Sequence, residues 1–309
     1  MGSEMCIRDR CLFKAYEIVV LTNSIVIIVG FLFRIELFSS YRFGVRFGYK
    51  GLIPAPNETS GFYLIATCYF LEKFFNRDSN FRNLLFLFLV VSSGIMIGTK
   101  ASTVILVVFA VYIIRYNRKV VRLRKAFQFL VIIGIVSLLF IYGEINEQLE
   151  ISRRYFQSQL AMHGDILTVF SSGRNYKVSY IIRRISNDWS VINYLFGGFD
   201  LAAITSEVDV VDIFLLFGIL GCLYFYWSYI RMLIFGNRIT FSSLIFILTW
   251  LGVSSTAGHF IYSAINAPYV GILLIYINSG SALAKTNIGS AINRDKSQSV
   301  VGSVRSLRT

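Results

Sequence analysis

The chain has 309 residues, 55% of them hydrophobic and only 15% charged, and a net charge of +13. A soluble domain carries about a quarter charged residues, so the composition argues against an ordinary soluble fold and for apolar runs that cross a bilayer. In that setting the basic excess reads first as Lys and Arg gathered on the cytoplasmic side, not as a nucleic-acid footprint.

Met1–Arg10 (MGSEMCIRDR) has no apolar stretch and no small-residue cleavage site. It resembles a junction sequence of assembled genomes, so residues 1–14 are expected to be a non-native or cytoplasmic start, with native helices missing before them. Apolar runs follow at about 15–33, 59–75, 83–99, 101–116, 126–143, 209–230, 241–258 and 260–279. They predict an all-α, polytopic integral membrane protein of about eight transmembrane helices, with residues 15–280 as the membrane domain. Residues 281–309, rich in Ser, Asn, Arg and Lys, read as a disordered basic cytoplasmic tail.

Arg115, Arg118, Lys119, Arg122, Arg124 and Lys125 mark one side as cytoplasmic. Counting spans from that cluster also puts Lys73, Arg77, Arg82, Arg231 and the tail inside. Two long segments, 34–58 and 144–206, are then external, yet both are basic. Either long external loops simply tolerate the charge, or the basic residues meet an anion on the outer face. Within the larger loop, Ile181, Ile182, Ile185, Trp189 and Ile192 recur at helical spacing from Tyr176 to Phe196. They predict an amphipathic helix. It either lies on the membrane surface, anchored by Trp189 and Tyr194, or packs on other residues of its own side.

Ionisable residues avoid the middles of the runs and gather at their external ends, as Glu58, Lys100, Glu207, Asp209, Asp212 and His259. Transporters place functional charge near the midplane, so a reaction at the outer surface fits better. Asp209 and Asp212 suit the N-terminus of a helix, and two carboxylates are only a weak signal for a divalent cation. Glu207 precedes the apolar stretch and can face the loop. His259 is one of two histidines and suits general-base work. The other, His163, lies in the long loop close to Asp165. Ser171-Ser172-Gly173-Arg174 offers close backbone approach and a bidentate phosphate ligand. The four cysteines form no CxxC or Cys/His spacing, and the sequence holds no Walker loop or dinucleotide fingerprint.

Several ordered pieces resemble the O-antigen polymerase and O-antigen ligase family of bacterial polysaccharide assembly. They are Arg46 and Gly48 followed by Pro56-Asn57-Glu58, Gly98 to Ser102 between two runs, Ser172 to Arg174, Leu195 to Gly198, and Glu207 and Asp209 before Phe217 to Gly221. The resemblance covers residues 40–280. It implies a GT-C-like glycosyltransferase of the bacterial cytoplasmic (inner) membrane, its C-terminus cytoplasmic. Such an enzyme moves a glycan from a polyprenyl diphosphate carrier to an acceptor sugar hydroxyl outside the membrane. It further implies diphosphate binding by Arg174, Arg154, Arg46 and Lys100, a proton acceptor in Glu207 or His259, and support from Asp209. No cofactor or metal is expected, and a divalent cation stays open. The expected partners are the polyprenyl-diphosphate-linked oligosaccharide and the lipid bilayer, with a flippase and a chain-length regulator of the same pathway, and no nucleic acid. Ligases of the family show a His-Asn motif where this chain has Glu207, which favours a polymerase. A ligase, a lipid-linked-glycan transporter and a non-catalytic membrane subunit are the alternatives.

Overall fold

The computed structural model describes residues 2–41, 46–116, 142–201, 204–234 and 239–279. Nearly all of the run at 126–143, much of the basic cluster at 115–125 and the tail at 281–309 lie outside the described residues. Among those described the fold is all-α: strand-like pairing is limited to one isolated bridge between Ser39 and Tyr49.

The helices are α1 (Gly2–Leu32), α2 (Pro56–Glu72, running on into a π-turn at Lys73–Arg77), α3 (Phe81–Met96) and α4 (Thr103–Arg115). After them come α5 (Tyr142–His163), α6 (Ile166–Ser171), α7 (Arg174–Asp188), α8 (Val191–Phe196), α9 (Asp209–Ile234) and α10 (Phe241–Ser254), with α11 at 266–279. Seven of the eight apolar runs thus fall wholly or largely on helices. The N-terminal decapeptide is helical from Gly2 onward and continuous with the first run.

α2 opens with Pro56, whose missing N–H costs nothing in a first turn. From Thr59 to Glu72 every residue is buried, because α3, α4 and α10 pack around this helix. Tyr16 of α1 and Tyr269 of α11 close the remaining sides, with ring centroids 6.2 and 4.7 Å from Phe62. Side chains start two neighbours: Asn80 accepts the Asn83 amide at 2.8 Å, and Thr240 accepts that of Ser243 at 3.1 Å.

The bundle has two polar ends. At one, Lys73 pairs with Glu17 at 2.5 Å, buried Glu72 accepts from Ser242 and Asn76, and Arg77 reaches the carbonyl of Tyr276. The other end carries the starts of α2, α4, α9 and α11 and the segment α5–α8. Between the ends the helices leave large apolar side chains exposed, among them Ile25, Phe88, Val107, Leu223 and Leu248. Among the described residues two helices, Asp9–Leu32 and Asp209–Ile234, are long and apolar enough to cross a membrane.

Two expectations about continuity are corrected. The amphipathic stretch from Tyr176 to Phe196 is two helices, broken at Trp189-Ser190, where the Ser190 amide bonds the Asn193 side chain at 3.1 Å to start α8. Trp189 turns inward, its ring 5.3 Å from Tyr194 and 5.7 Å from Phe214, in a small core with Ile181, Ile185 and Leu215. The run at 209–230 is likewise interrupted, at Gly218 (φ 64°, ψ −170°). The break frees the Leu215 carbonyl, which accepts the amides of Gly198 and Phe199 at 3.2 and 3.0 Å. A Cβ on Gly218 would stand 2.5 Å from the nitrogen of Gly197, so both backbones require glycine there.

Candidate functional site

The site begins with two chain segments pressed together. Tyr49 donates its amide to the Met96 carbonyl at 2.8 Å, and Ser40 its hydroxyl to that of Ile97 at 2.9 Å. The segment at 46–49 is thereby held against the turn between α3 and α4. A Cβ on Gly98 (φ 73°) would lie 2.9 Å from the Cα of Gly48, so side chains are excluded from this seam. Arg46 crosses it and donates to the Gly98 carbonyl at 2.8 Å, with its guanidinium 4.7 Å above the Tyr41 ring and 5.7 Å from that of Phe156. Lys100, two residues on from Gly98, holds the Val169 carbonyl and, at 3.0 Å, the Ser172 hydroxyl. A cavity of about 190 Å³ opens here, lined by Arg46, Thr99, Lys100, Ser152 and Phe156 among others. Burial, followed by the positive charges of Arg46 and Arg174, lowers the Lys100 ammonium pKa to about 8.

Ser172 and Gly173, with φ of 56° and 76°, form a left-handed turn that starts α7 and aims Arg174 inward. The Arg174 side chain is only 14% exposed and lies 3.6 Å, Nε to Oε2, from Glu207. Its Nη1 donates to the Thr256 carbonyl at 2.8 Å. Lys177, one turn along α7, donates to the other oxygen of Glu207. Burial by itself would raise the Glu207 pKa. The Lys177 hydrogen bond and the charges of Lys177 and Arg174 outweigh it and hold this carboxyl below its ordinary value.

Behind Glu207 lies the turn that follows α10. A Cβ on Gly258 would meet the Glu207 carbonyl carbon at 2.6 Å, which puts His259 next to that contact. His259 (φ 69°) is half-buried, and its ring stands edge-on to Tyr262 at 5.5 Å. Asp209 is fully buried and accepts the amides of His259, Phe260 and Ile261 at 2.6, 3.0 and 2.9 Å. Asp212 accepts the Ser206 amide at 2.8 Å and the Tyr262 hydroxyl at 3.1 Å. These two carboxylates tie the chain before α9 to the turn after α10. Glu58 accepts from Ser263 of the same region at 2.9 Å. Among the described residues no group of three His, Cys, Asp or Glu side chains gathers as a metal site.

Of the residues expected in the site, Arg46, Lys100, Arg174, Glu207 and His259 share this end of the bundle, and Asp209 braces it from within. Arg154 stands apart on α5: its side chain is 76% exposed and pairs with Glu150 at 3.3 Å. His163 closes α5 ahead of the turn at Gly164. Lys177 is the member that sequence reasoning passed over, although its three-residue spacing from Arg174 puts both on one helical face. Comparison with family models, curated proteins and solved structures finds no match to this chain.

Proposed function

We propose that the chain is a polytopic glycosyltransferase of the bacterial cytoplasmic membrane. It acts as a polysaccharide polymerase that moves a glycan from a polyprenyl diphosphate to an acceptor sugar hydroxyl at the outer face. Support for the membrane comes from the long apolar helices and from their exposed Ile, Phe, Val and Leu side chains, which water would disfavour in a patch of this extent. Support for the chemistry rests on one observation: Arg46 and Lys100 line one cavity of about 190 Å³, and the Ser172 hydroxyl that Lys100 holds at 3.0 Å stands two residues before Arg174. Three cationic side chains gathered at and beside one cavity suit an anionic ligand.

In this reading the acceptor oxygen attacks the anomeric carbon as the bond to the diphosphate oxygen breaks. Charge that builds on the departing lipid diphosphate meets prepositioned Arg46, Lys100 and Arg174. The hydroxyl proton passes to Glu207 or His259. The test is to incubate the full chain, in vesicles, with lipid-linked oligosaccharide. Glycans longer than the input are expected. Passage of glycan across the bilayer with its length unchanged would overturn the reading in favour of transport.

A further inference from the structure

Arg174 and Lys177 lie one turn apart on a single face of α7, and each takes one oxygen of the Glu207 carboxylate. Among the described residues that carboxylate has no other hydrogen-bond or ion-pair partner. The Arg174 Nε is buried and makes no hydrogen bond among the described residues, since the carboxylate oxygen stands at 3.6 Å. Arg and Lys accept a carboxylate and a phosphate in the same way, and a phosphate brings a further oxygen and more negative charge than the carboxylate it would replace. Glu207 reaches the pair from a left-handed backbone position (φ 58°), an uncommon conformation for a residue with a side chain.

The pair also adjoins the cavity at Arg46 and Lys100. Ser172, which bonds Lys100 at 3.0 Å, is two residues before Arg174, and the Arg174 charge is felt at Lys100. Two cationic stations therefore stand side by side. One borders an open cavity, and the other is filled by the chain's own carboxylate.

We propose that Arg174 and Lys177 form a second phosphate subsite, occupied by Glu207 until a diphosphate displaces it. This rests on the diphosphate reading above and adds an order of events to it. One phosphate enters at Arg46 and Lys100, and the other takes over Arg174 and Lys177. Glu207, parted from both cations, becomes a stronger proton acceptor beside His259. Donor binding thus creates the base that the acceptor hydroxyl needs, and a bound acceptor without donor meets a carboxylate already engaged.

The test is calorimetric binding of inorganic pyrophosphate and inorganic phosphate to the full chain in lipid nanodiscs. Glu207→Gln and Glu207→Ala both remove the internal competitor and are expected to tighten pyrophosphate binding about tenfold. Lys177→Met is expected to weaken it by a similar factor while leaving inorganic phosphate, which the Arg46 and Lys100 station alone can hold, unchanged. Pyrophosphate binding that weakens in Lys100→Met yet ignores every change at Lys177 and Glu207 would overturn the second subsite and leave the diphosphate reading standing. Failure of pyrophosphate to bind the wild-type chain and both Glu207 variants would overturn the two together.

Discussion

The carboxylate of Asp209 accepts the backbone N–H of His259 at 2.6 Å, across fifty residues of sequence. An aspartate that opens a helix ordinarily serves that helix's own free amides. Here both oxygens serve another segment, and the turn bearing His259 takes its shape from them. Asp209→Asn leaves one acceptor where there were two and points an N–H at an N–H. It is expected to lower unfolding free energy by about 1–3 kcal/mol. Denaturant melts in detergent check this, and an unchanged midpoint would remove the bracing role.

Gly258 and Gly252 lie six residues apart and should respond in opposite ways to the same change. Gly258→Ala drives a methyl into the Glu207 backbone, at 2.6 Å from its carbonyl carbon, and is expected to cost about 1–3 kcal/mol by overpacking. Gly252 is inside α10 with nothing within 4 Å of an added Cβ. Gly252→Ala should be neutral or stabilise by up to about 1 kcal/mol through helix propensity. Paired thermal melts decide, and equal losses would contradict the close approach.

Arg174 and Arg154 provide the sharpest functional contrast. Arg174→Ala is expected to reduce polymer formation by about 10²-fold or more, as for loss of a preorganised group facing developing charge. Arg154→Ala, which removes an exposed pairing with Glu150, should leave the rate within about twofold, since surface pairs contribute little. Chain-length ladders from membranes containing each variant at equal amounts give the measurement. Normal ladders from Arg174→Ala would move the site elsewhere.

Lys100 makes the site sensitive to alkaline pH. Its folded-state pKa is lowered to about 8, against about 10.4 for an unperturbed lysine. Between those values the unfolded chain keeps a proton that the folded chain has released, so stability should rise with pH across that window. Below about 8 the crowded cation is destabilising in full. Anion binding runs the other way, since it requires the charged form. Pyrophosphate affinity should therefore fall as pH climbs through about 8, and Lys100→Arg should flatten that fall. A profile with the same slope in both proteins would show that Lys100 does not face the anion.

Much of this protein could be read before any fold was known. The apolar runs at 59–75, 83–99, 101–116 and 241–258 mark α2, α3, α4 and α10 because long apolar segments satisfy their backbone groups most simply as helices. Lys100, Glu207 and His259 were recognisable as charge or imidazole at the external ends of the apolar runs, and Arg46 and Arg174 as basic residues of the long segments on the same side. Tertiary structure alone decided how they meet. Residue spacing reports which face of a helix a side chain occupies, not what lies opposite. The pairing of Lys177 with Glu207, thirty residues away, therefore exists only once the two segments are folded together. Arg154 lost its place because α5 turns it toward Glu150 and solvent. The glycines behave alike: Gly48, Gly98, Gly197 and Gly218 stand in the pieces that the sequence singled out, but only contact between the paired backbones shows why a side chain is impossible there. Local chemistry was enough to produce the helices and sort their charges to the ends. Which cation grips which carboxylate depends on distances between segments remote in sequence, and those exist only once the bundle has packed.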